Sequence, residues 1–395
     1  MTIAILTAGL TPAGAANGPV GNGWIAFTSE RDGGVGHIWR MNADGSGLTQ
    51  LTSGETVVDH AAWSPDGTRI AFTSYPQPAA DGEVFVMNAD GSGQTNLTKE
   101  SSSDEFEPAW SPDGSKVAFG SNRDGNQEIY VMNADGSGQT NLTETTEHEG
   151  GPSWSPDGSS IAYLSLQGGS NFEIFSMNQS GSGQSNLTEH AAFDTNPAWS
   201  PDGSRIAFSS NRDGMFEIHV MDTNGDGQAK IPGVGYGDDP AWAPDGSRIT
   251  FTSRPSDNYE VSVVAADGSG LANLTNHPSD DDYRPSWQPV PVPSISVSKP
   301  KSKEGKRERF RITLAAPPVG PLTLSFETAK GTAKPRKDFK PTEGTLDFGP
   351  GVDSAVVKVK TRGDPRDERK ETFFLDLTGP GGASARGKAR IKDDD

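Results

Sequence analysis

The sequence predicts an all-β chain: a six-bladed β-propeller over residues 20–288, a Pro-rich linker at 289–293 and a β-sandwich over 294–395. Three observations carry this. A tryptophan-centred motif returns six times, helical periodicity is missing throughout, and the charge balance inverts after the last tryptophan.

The motif runs Pro-Ala-Trp-Ser-Pro-Asp-Gly-Ser, then Ile-Ala-Phe, then Glu-Ile-Tyr-Val-Met-Asn-Ala-Asp-Gly-Ser-Gly, then Asn-Leu-Thr. Its tryptophans are Trp63, Trp110, Trp154, Trp199, Trp242 and Trp287, spaced by 47, 44, 45, 43 and 45 residues. Repeats of this length are single supersecondary units that must stack to bury a core. Each unit reads as four short strands separated by turns. In Ser111-Pro112-Asp113-Gly114 the proline pre-sets φ and the glycine accepts positive φ, and Asn133-Ala134-Asp135-Gly136 solves the next turn alike.

Four-stranded units leave long edges exposed unless the stack closes into a ring. Closure is legible at the ends. The chain opens on Trp24-Ile25-Ala26-Phe27, a second strand with no tryptophan strand before it, and Pro285-Ser286-Trp287 supplies the missing one. The tryptophans are expected as wedges between blades. The Trp-Ser-Pro-Asp-Gly-Ser-x-Ile-Ala-Phe run, with Asn-Arg-Asp-Gly and Glu-Ile-Tyr-Val-Met-Asn after it, resembles the TolB-type propeller repeat, also described as a WD40-like PD40 repeat. The resemblance to TolB itself is partial, since it covers the propeller and not an α/β domain ahead of it, and a role in the Tol system is not what it leads one to expect.

After the linker the composition changes. Residues 1–293 carry 12 basic and 38 acidic groups, a net of −26, whereas 294–395 carry 22 and 15, a net of +7. Alternation in 310–314, 322–326, 356–359 and 372–377 predicts half-buried strands. Asp338-Phe339, Gly344-Thr345-Leu346-Asp347-Phe348, Glu371-Thr372-Phe373 and the closing Ile391-Lys392-Asp393-Asp394-Asp395 resemble a Calx-beta domain. That resemblance implies calcium held by carboxylates between strand ends, at Glu304, Asp338, Asp364, Asp393 and Asp394, the hard oxygen donors that Ca²⁺ requires. A second calcium candidate is the loop Asp222-Thr223-Asn224-Gly225-Asp226-Gly227, whose Asp222, Asn224 and Asp226 follow the start of a calcium loop, although its twelfth position is Gly233.

Within the repeat, the position three residues before each tryptophan varies: His60, Glu107, Gly151, Asn196, Asp239 and Arg284. These residues are expected at the start of the innermost strand, at the mouth of the central channel, and His60, Glu107, Asn196, Asp239 and Arg284 are the candidate partner-binding set. The loops ahead of them hold sixteen carboxylates, among them Asp59, Glu105, Glu149, Asp194, Asp238 and Asp282, against Lys99 and Arg284. Such a face attracts cations or a basic partner. The basic sandwich could itself dock there.

Other classes are excluded. With no cysteine there is no disulfide framework or thiol chemistry. No apolar run is long enough to span a bilayer. Residues 1–19 read as a signal-like or disordered N-terminus, with an apolar core at Ile3–Leu10 and small residues Ala13-Gly14-Ala15 behind Pro12. No Gly-x-Ser-x-Gly, His-Glu-x-x-His or phosphate-cradling glycine loop is present. The sequence therefore predicts a non-catalytic protein, periplasmic, envelope-associated or secreted, and monomeric. It is expected to act as a scaffold that binds a basic protein surface or an anionic envelope component, and not nucleic acid, with the sandwich serving adhesion or calcium-dependent rigidity. The alternatives are a carbohydrate- or small-ligand-binding propeller and a hydrolase accessory domain.

Overall fold

The structure is a computed structural model and describes residues 20–31, 33–76, 81–99, 102–363, 370–380 and 383–392. The signal-like segment lies outside these. Among the described residues, six four-stranded antiparallel sheets form the propeller and two further sheets form the sandwich.

Five blades are continuous in sequence. Their innermost strands are Val57–Trp63, Glu105–Trp110, Glu149–Trp154, Asp194–Trp199 and Gly237–Trp242. The sixth blade combines Asp282–Pro291 with Val20–Ser29, His37–Met41 and Thr49–Gln50. Ile25 stands opposite Trp287 and Ala26 opposite Ser286, so a C-terminal strand closes the ring as the sequence predicts.

Each tryptophan is a wedge. Trp110 packs with Ala71, Val84 and Val86 of the first blade, and Trp154 with Ala118, Ile129 and Val131 of the second. The apolar faces of adjacent sheets meet across these rings, which is how a two-faced sheet becomes buried. The turns also contribute to the seam. Gly136 has φ +87°, and a Cβ there would lie 2.5 Å from the Leu97 carbonyl oxygen of the preceding blade, so glycine is required for both conformation and approach.

The Asn-Leu-Thr triplets are structural. Thr98 and Thr188 donate their hydroxyls at 2.5 Å to Glu83 and Glu173 at the heads of the third strands. The Asn186 side chain accepts the Thr188 amide, a local turn that fixes the short fourth strand.

In the sandwich, a three-stranded sheet of Ile295–Val297, Arg307–Leu314 and Ser354–Lys360 faces a five-stranded one. Phe310, Leu324, Phe339, Phe373 and Leu375 fill the space between them, with Phe339 stacked on Phe373 at 4.6 Å.

Residues 289–291 of the segment expected as a Pro-rich linker are instead strand. Asp282–Pro291 continues past the propeller, pairing Pro289 with Asn22, Val290 with Gly21 and Pro291 with Val20. Prolines are tolerated in this position because the pair lies at the sheet's end. Val290 is fully buried within the sandwich core, so one strand belongs to both domains. Gln288 locks the junction: Nε2 donates to the Gly67 carbonyl at 2.8 Å and Oε1 accepts the Trp24 amide. The strand thus leaves the propeller beside the Ser64–Gly67 turn, and the sandwich sits at that end, not docked against the acidic loops.

Candidate functional site

The six variable positions converge, but not at a strand's beginning. Each lies inside the innermost strand, on a β-bulge. In the first blade Asp59 pairs with Thr73 and Ala62 with Ala71, leaving His60 and Ala61 opposite the single residue Phe72. The same jump recurs in the other five blades. The bulge residue is left-handed every time: φ is +52° at His60, +53° at Glu107, +57° at Gly151, +53° at Asn196, +50° at Asp239 and +54° at Arg284. Bulges of this kind favour glycine, and a side chain there costs about 1–2 kcal/mol. Only the third blade uses the glycine.

The bulge turns these side chains into a central cavity of about 210 Å³, lined also by Pro108, Pro152, Pro197, Pro240 and Pro285. The polar groups bond around its wall. His60 Nε2 lies 3.4 Å from Glu107 Oε1, and Glu107 Oε2 accepts the Gly151 amide at 2.6 Å. Asn196 donates to Asp238 at 2.9 Å and to Asp239 at 3.0 Å. Arg284 bonds Asp59 and stands 4.0 Å from Asp239, and Thr28 donates to Asp59 at 2.7 Å. Gly151, lacking a side chain, interrupts the ring between Glu107 and Asn196.

Charge states follow from these contacts. Burial works to raise the Glu107 carboxyl, but the His60 bond and charge and the Gly151 amide together hold it below its ordinary value. Asp239 goes the other way, pushed up first by burial and then by the neighbouring Asp238. Desolvation lowers Arg284 to about 10, which leaves it cationic at neutral pH.

Beside the ring, at its glycine side, a second hollow of about 400 Å³ is lined by Tyr75, Asp104, Phe106, Glu107, Gly150, Leu164 and Phe172. It shares His60 and Glu107 with the central cavity. Sequence reading missed this lobe, because its residues come from loops and strands of three blades and mostly occupy different repeat positions. The bulge itself had a signal: Gly151 stands in a column otherwise polar, followed by proline in five of six copies.

The acidic face is smaller than the loop composition suggests. Glu105, Asp194 and Asp282 are buried, each bound to the arginine of the second-strand turn: Arg123 at 3.1 Å, Arg212 at 2.9 Å and Arg31 at 2.5 Å. They hold the blade's own strands. Glu149 occupies the same position in the third blade, where Gln167 replaces the arginine; its carboxyl accepts the Thr145 and Ser165 hydroxyls.

The calcium candidates fare unequally. Asp222, Asn224 and Asp226 sit in the ordinary hairpin turn, with Asp222 N bonded to Asp226 O and the Asn224 side chain donating to Asp226 at 2.8 Å, so two of the three expected ligands bind each other. Asp364, Asp393 and Asp394 lie outside the described residues. Glu304 and Asp338 are buried at one end of the sandwich, where the Arg362 amide bonds the Asp338 carbonyl and Gly363 packs near the Glu304 side chain. Asp338 Oδ2 accepts the Lys334 amide at 2.6 Å and Oδ1 lies 3.9 Å from Lys337 Nζ. Among the described residues no three metal-ligating side chains cluster, and two carboxylates alone do not make a calcium set.

The sequence matches the TolB beta propeller domain over residues 62–183 and 140–304, together more than half of the chain, and the Calx-beta domain over 293–393. No curated protein matches it. Among solved structures it is similar to TolB from Acinetobacter baumannii, with 22% identity, TM-score 0.58 and coverage of 67% of this chain and 66% of that one. A putative TolB from Agrobacterium tumefaciens is similar at 19% identity and TM-score 0.53, over 68% of this chain and 99% of that one. Hydrazine synthase from Kuenenia stuttgartiensis aligns with 99% of this chain and 72% of its own at 12% identity and TM-score 0.58. These likenesses establish the fold.

Proposed function

Since the chain belongs to the TolB beta propeller domain family and carries a Calx-beta domain behind its propeller, we propose that it is a non-catalytic, exported binding or scaffold protein whose propeller channel receives a cationic segment of a protein partner. One observation carries this. Five blades place a polar or charged side chain at a left-handed bulge position that glycine fills more cheaply, and the five differ from one another. Strain retained at one ring of otherwise unlike residues marks a site kept for recognition.

Charge supports a basic segment. Asp59 is neutralised by Arg284, while Glu107 and Asp104 line the hollows without a lysine or arginine among the lining residues besides Arg284. The aromatic lobe of Tyr75, Phe106 and Phe172 favours an apolar or cationic side chain next to the carboxylates, through cation–π and packing contacts. The same lobe favours a second reading, a sugar or small ligand stacked on those rings.

Pull-down from an envelope extract with the intact chain tests the reading. Glu107→Gln and Asn196→Ala are expected to lose the captured protein while keeping the wild-type melting profile; retention of the same partner by both variants would end it. Loss of a glycan-array signal in a Phe106→Ala, Phe172→Ala variant, with protein capture intact, would favour the sugar reading. Deleting residues 294–395 is a poor test, since it uncovers Val290.

A further inference from the structure

The strand Arg307–Leu314 alternates strictly. Glu308, Phe310, Ile312 and Leu314 face the sandwich core, and Arg307, Arg309 and Arg311 are exposed. Its neighbour Ser354–Lys360 does the same, burying Val357 and Val359 and exposing Lys358 and Lys360. The register sets Arg307 opposite Lys360 and Arg309 opposite Lys358. Five cations therefore share one flat sheet face, in a grid about 6.8 Å along the strand and about 4.8 Å across it.

This arrangement works against stability. Like charges directly opposite across a ladder are destabilising, and among the described residues none of the five makes an ion pair. The described acid nearest in sequence to the lysine row, Asp353, precedes it at the Leu314 end, away from Arg307 and Lys360. The outer face of the five-stranded sheet also carries a basic row, Arg386, Lys388, Arg390 and Lys392, but there Arg386 pairs with Asp376 and the neighbouring strands intersperse Glu327, Glu343 and Asp347. Edge protection accounts for lysines on an outer strand. Arg307–Leu314 pairs with Ser354–Lys360 along its length and with Ile295–Val297 over Ile312–Leu314, so its Arg307 end is an edge on one side, where protection calls for a charge but not for a row of three arginines set against two lysines.

We propose that this face binds a linear acidic polysaccharide, with Arg307, Arg309, Arg311, Lys358 and Lys360 engaging its carboxylate or sulfate groups. Arginine's planar fork matches both anions bidentately, and a straight row of three suits an extended chain. Thr313, with Ser296 opposite, continues the arginine row with hydroxyls able to meet sugar hydroxyls. The exposed side chains of these strands include no aromatic ring on which bases could stack, and Val356 is the exposed apolar residue on them, too little to enter a bilayer. The face belongs to the domain at the end of the propeller away from the acidic loops, so a polyanion there avoids their field. The surface is separate from the channel and stands or falls independently of it.

The test is affinity electrophoresis of the intact chain through gels containing polygalacturonate or dextran sulfate, with hydroxyethyl cellulose as the uncharged control. Since the chain carries a net charge of −19, retardation by a polyanion requires a local basic site. Wild type is expected to be retarded by at least one acidic polymer at about 50 mM salt and released near about 200 mM. Arg307→Ser, Arg309→Ser, Arg311→Ser together are expected to weaken binding about tenfold, with Lys358→Ser, Lys360→Ser weakening it less. The channel variant Glu107→Gln is expected to migrate like wild type. All five side chains are exposed, and a circular dichroism melt no lower than that of wild type confirms folding. No retardation of wild type, equal retardation of the triple variant, or tighter binding to poly(dT) or to phosphatidylserine vesicles than to either polysaccharide overturns the proposal.

Discussion

Val290 pairs with Gly21 on the strand that closes the propeller, and its side chain is buried in the core of the sandwich. A single residue thus couples ring closure to the second domain. Gly320 sits against the same junction: a Cβ there would lie 2.2 Å from Gln288 Oε1, which is already held by the Trp24 amide. The two domains are joined by packed surface, not by a swivel.

Truncating Val290 should therefore be felt in the sandwich as well as the propeller. Val290→Ala is expected to cost about 2 kcal/mol and to lower the melting temperature of both domains in scanning calorimetry. A sandwich transition that stays in place would contradict the packing of Val290 in that core.

The bulge glycine makes a converse prediction. Gly151 has φ +57° and Leu164 Cδ2 would lie 3.3 Å from an added Cβ. Gly151→Ala is expected to destabilise by about 1–2 kcal/mol in urea titration and to narrow the opening between the two hollows. Unaltered stability would show that the left-handed position carries little strain.

Glu149 should give the propeller a pH-dependent stability. Burial first, and repulsion from Glu128 second, raise its carboxyl to about 7 from 4.5. A carboxyl raised in the folded state contributes stability below its unfolded value that is lost as pH climbs through the folded one. Stability should thus decline between pH 4.5 and about 7, and Glu149→Gln should flatten that decline. Gln167→Arg, which restores the partner present beside Glu105 and Asp194, should stabilise the protein at pH 8. Denaturant midpoints across the range check both; an identical pH profile for wild type and Glu149→Gln would refute the assignment.

Asp239 should make the channel a better cation site as pH rises. Its carboxyl is pushed up to about 8, so it gains negative charge above neutrality while Asp238, Glu107, His60 and Arg284 stand near it. Affinity for a fluorescent arginine-rich peptide is expected to increase by about 1 kcal/mol, roughly fivefold, between pH 7 and pH 9. Asp239→Asn should abolish the increase in fluorescence anisotropy titrations.

Calcium is the sandwich's remaining test. If Glu304 and Asp338 form part of a calcium set, saturating calcium should stabilise the sandwich by up to about 2.7 kcal/mol at a hundredfold excess over Kd. Asp338→Asn should remove that gain. A change in melting temperature below about 1 °C between calcium and chelator in both proteins would take calcium out of the account.

Much of this architecture is determined by short-range information. The spacing of Trp63 through Trp287, the Pro-Asp-Gly turns and the orphan opening strand at Ile25 fix the number of blades and the way the ring closes, because each depends on local turn chemistry and on burying a repeated apolar face. The alternation of Arg307, Arg309 and Arg311 with Glu308, Phe310 and Ile312 likewise assigns sides to a strand before any partner is known. What only the tertiary structure decided depends on neighbours distant in sequence. The cross-strand jump that puts His60 and Glu107 on left-handed bulges is a property of paired registers, not of either strand alone. Arg123 reveals Glu105 as a structural ion rather than a surface charge only when two strands are side by side. That Val290 pairs with the propeller at Gly21 yet packs in the sandwich core is likewise set by distant residues, which a spacer read from prolines could not disclose.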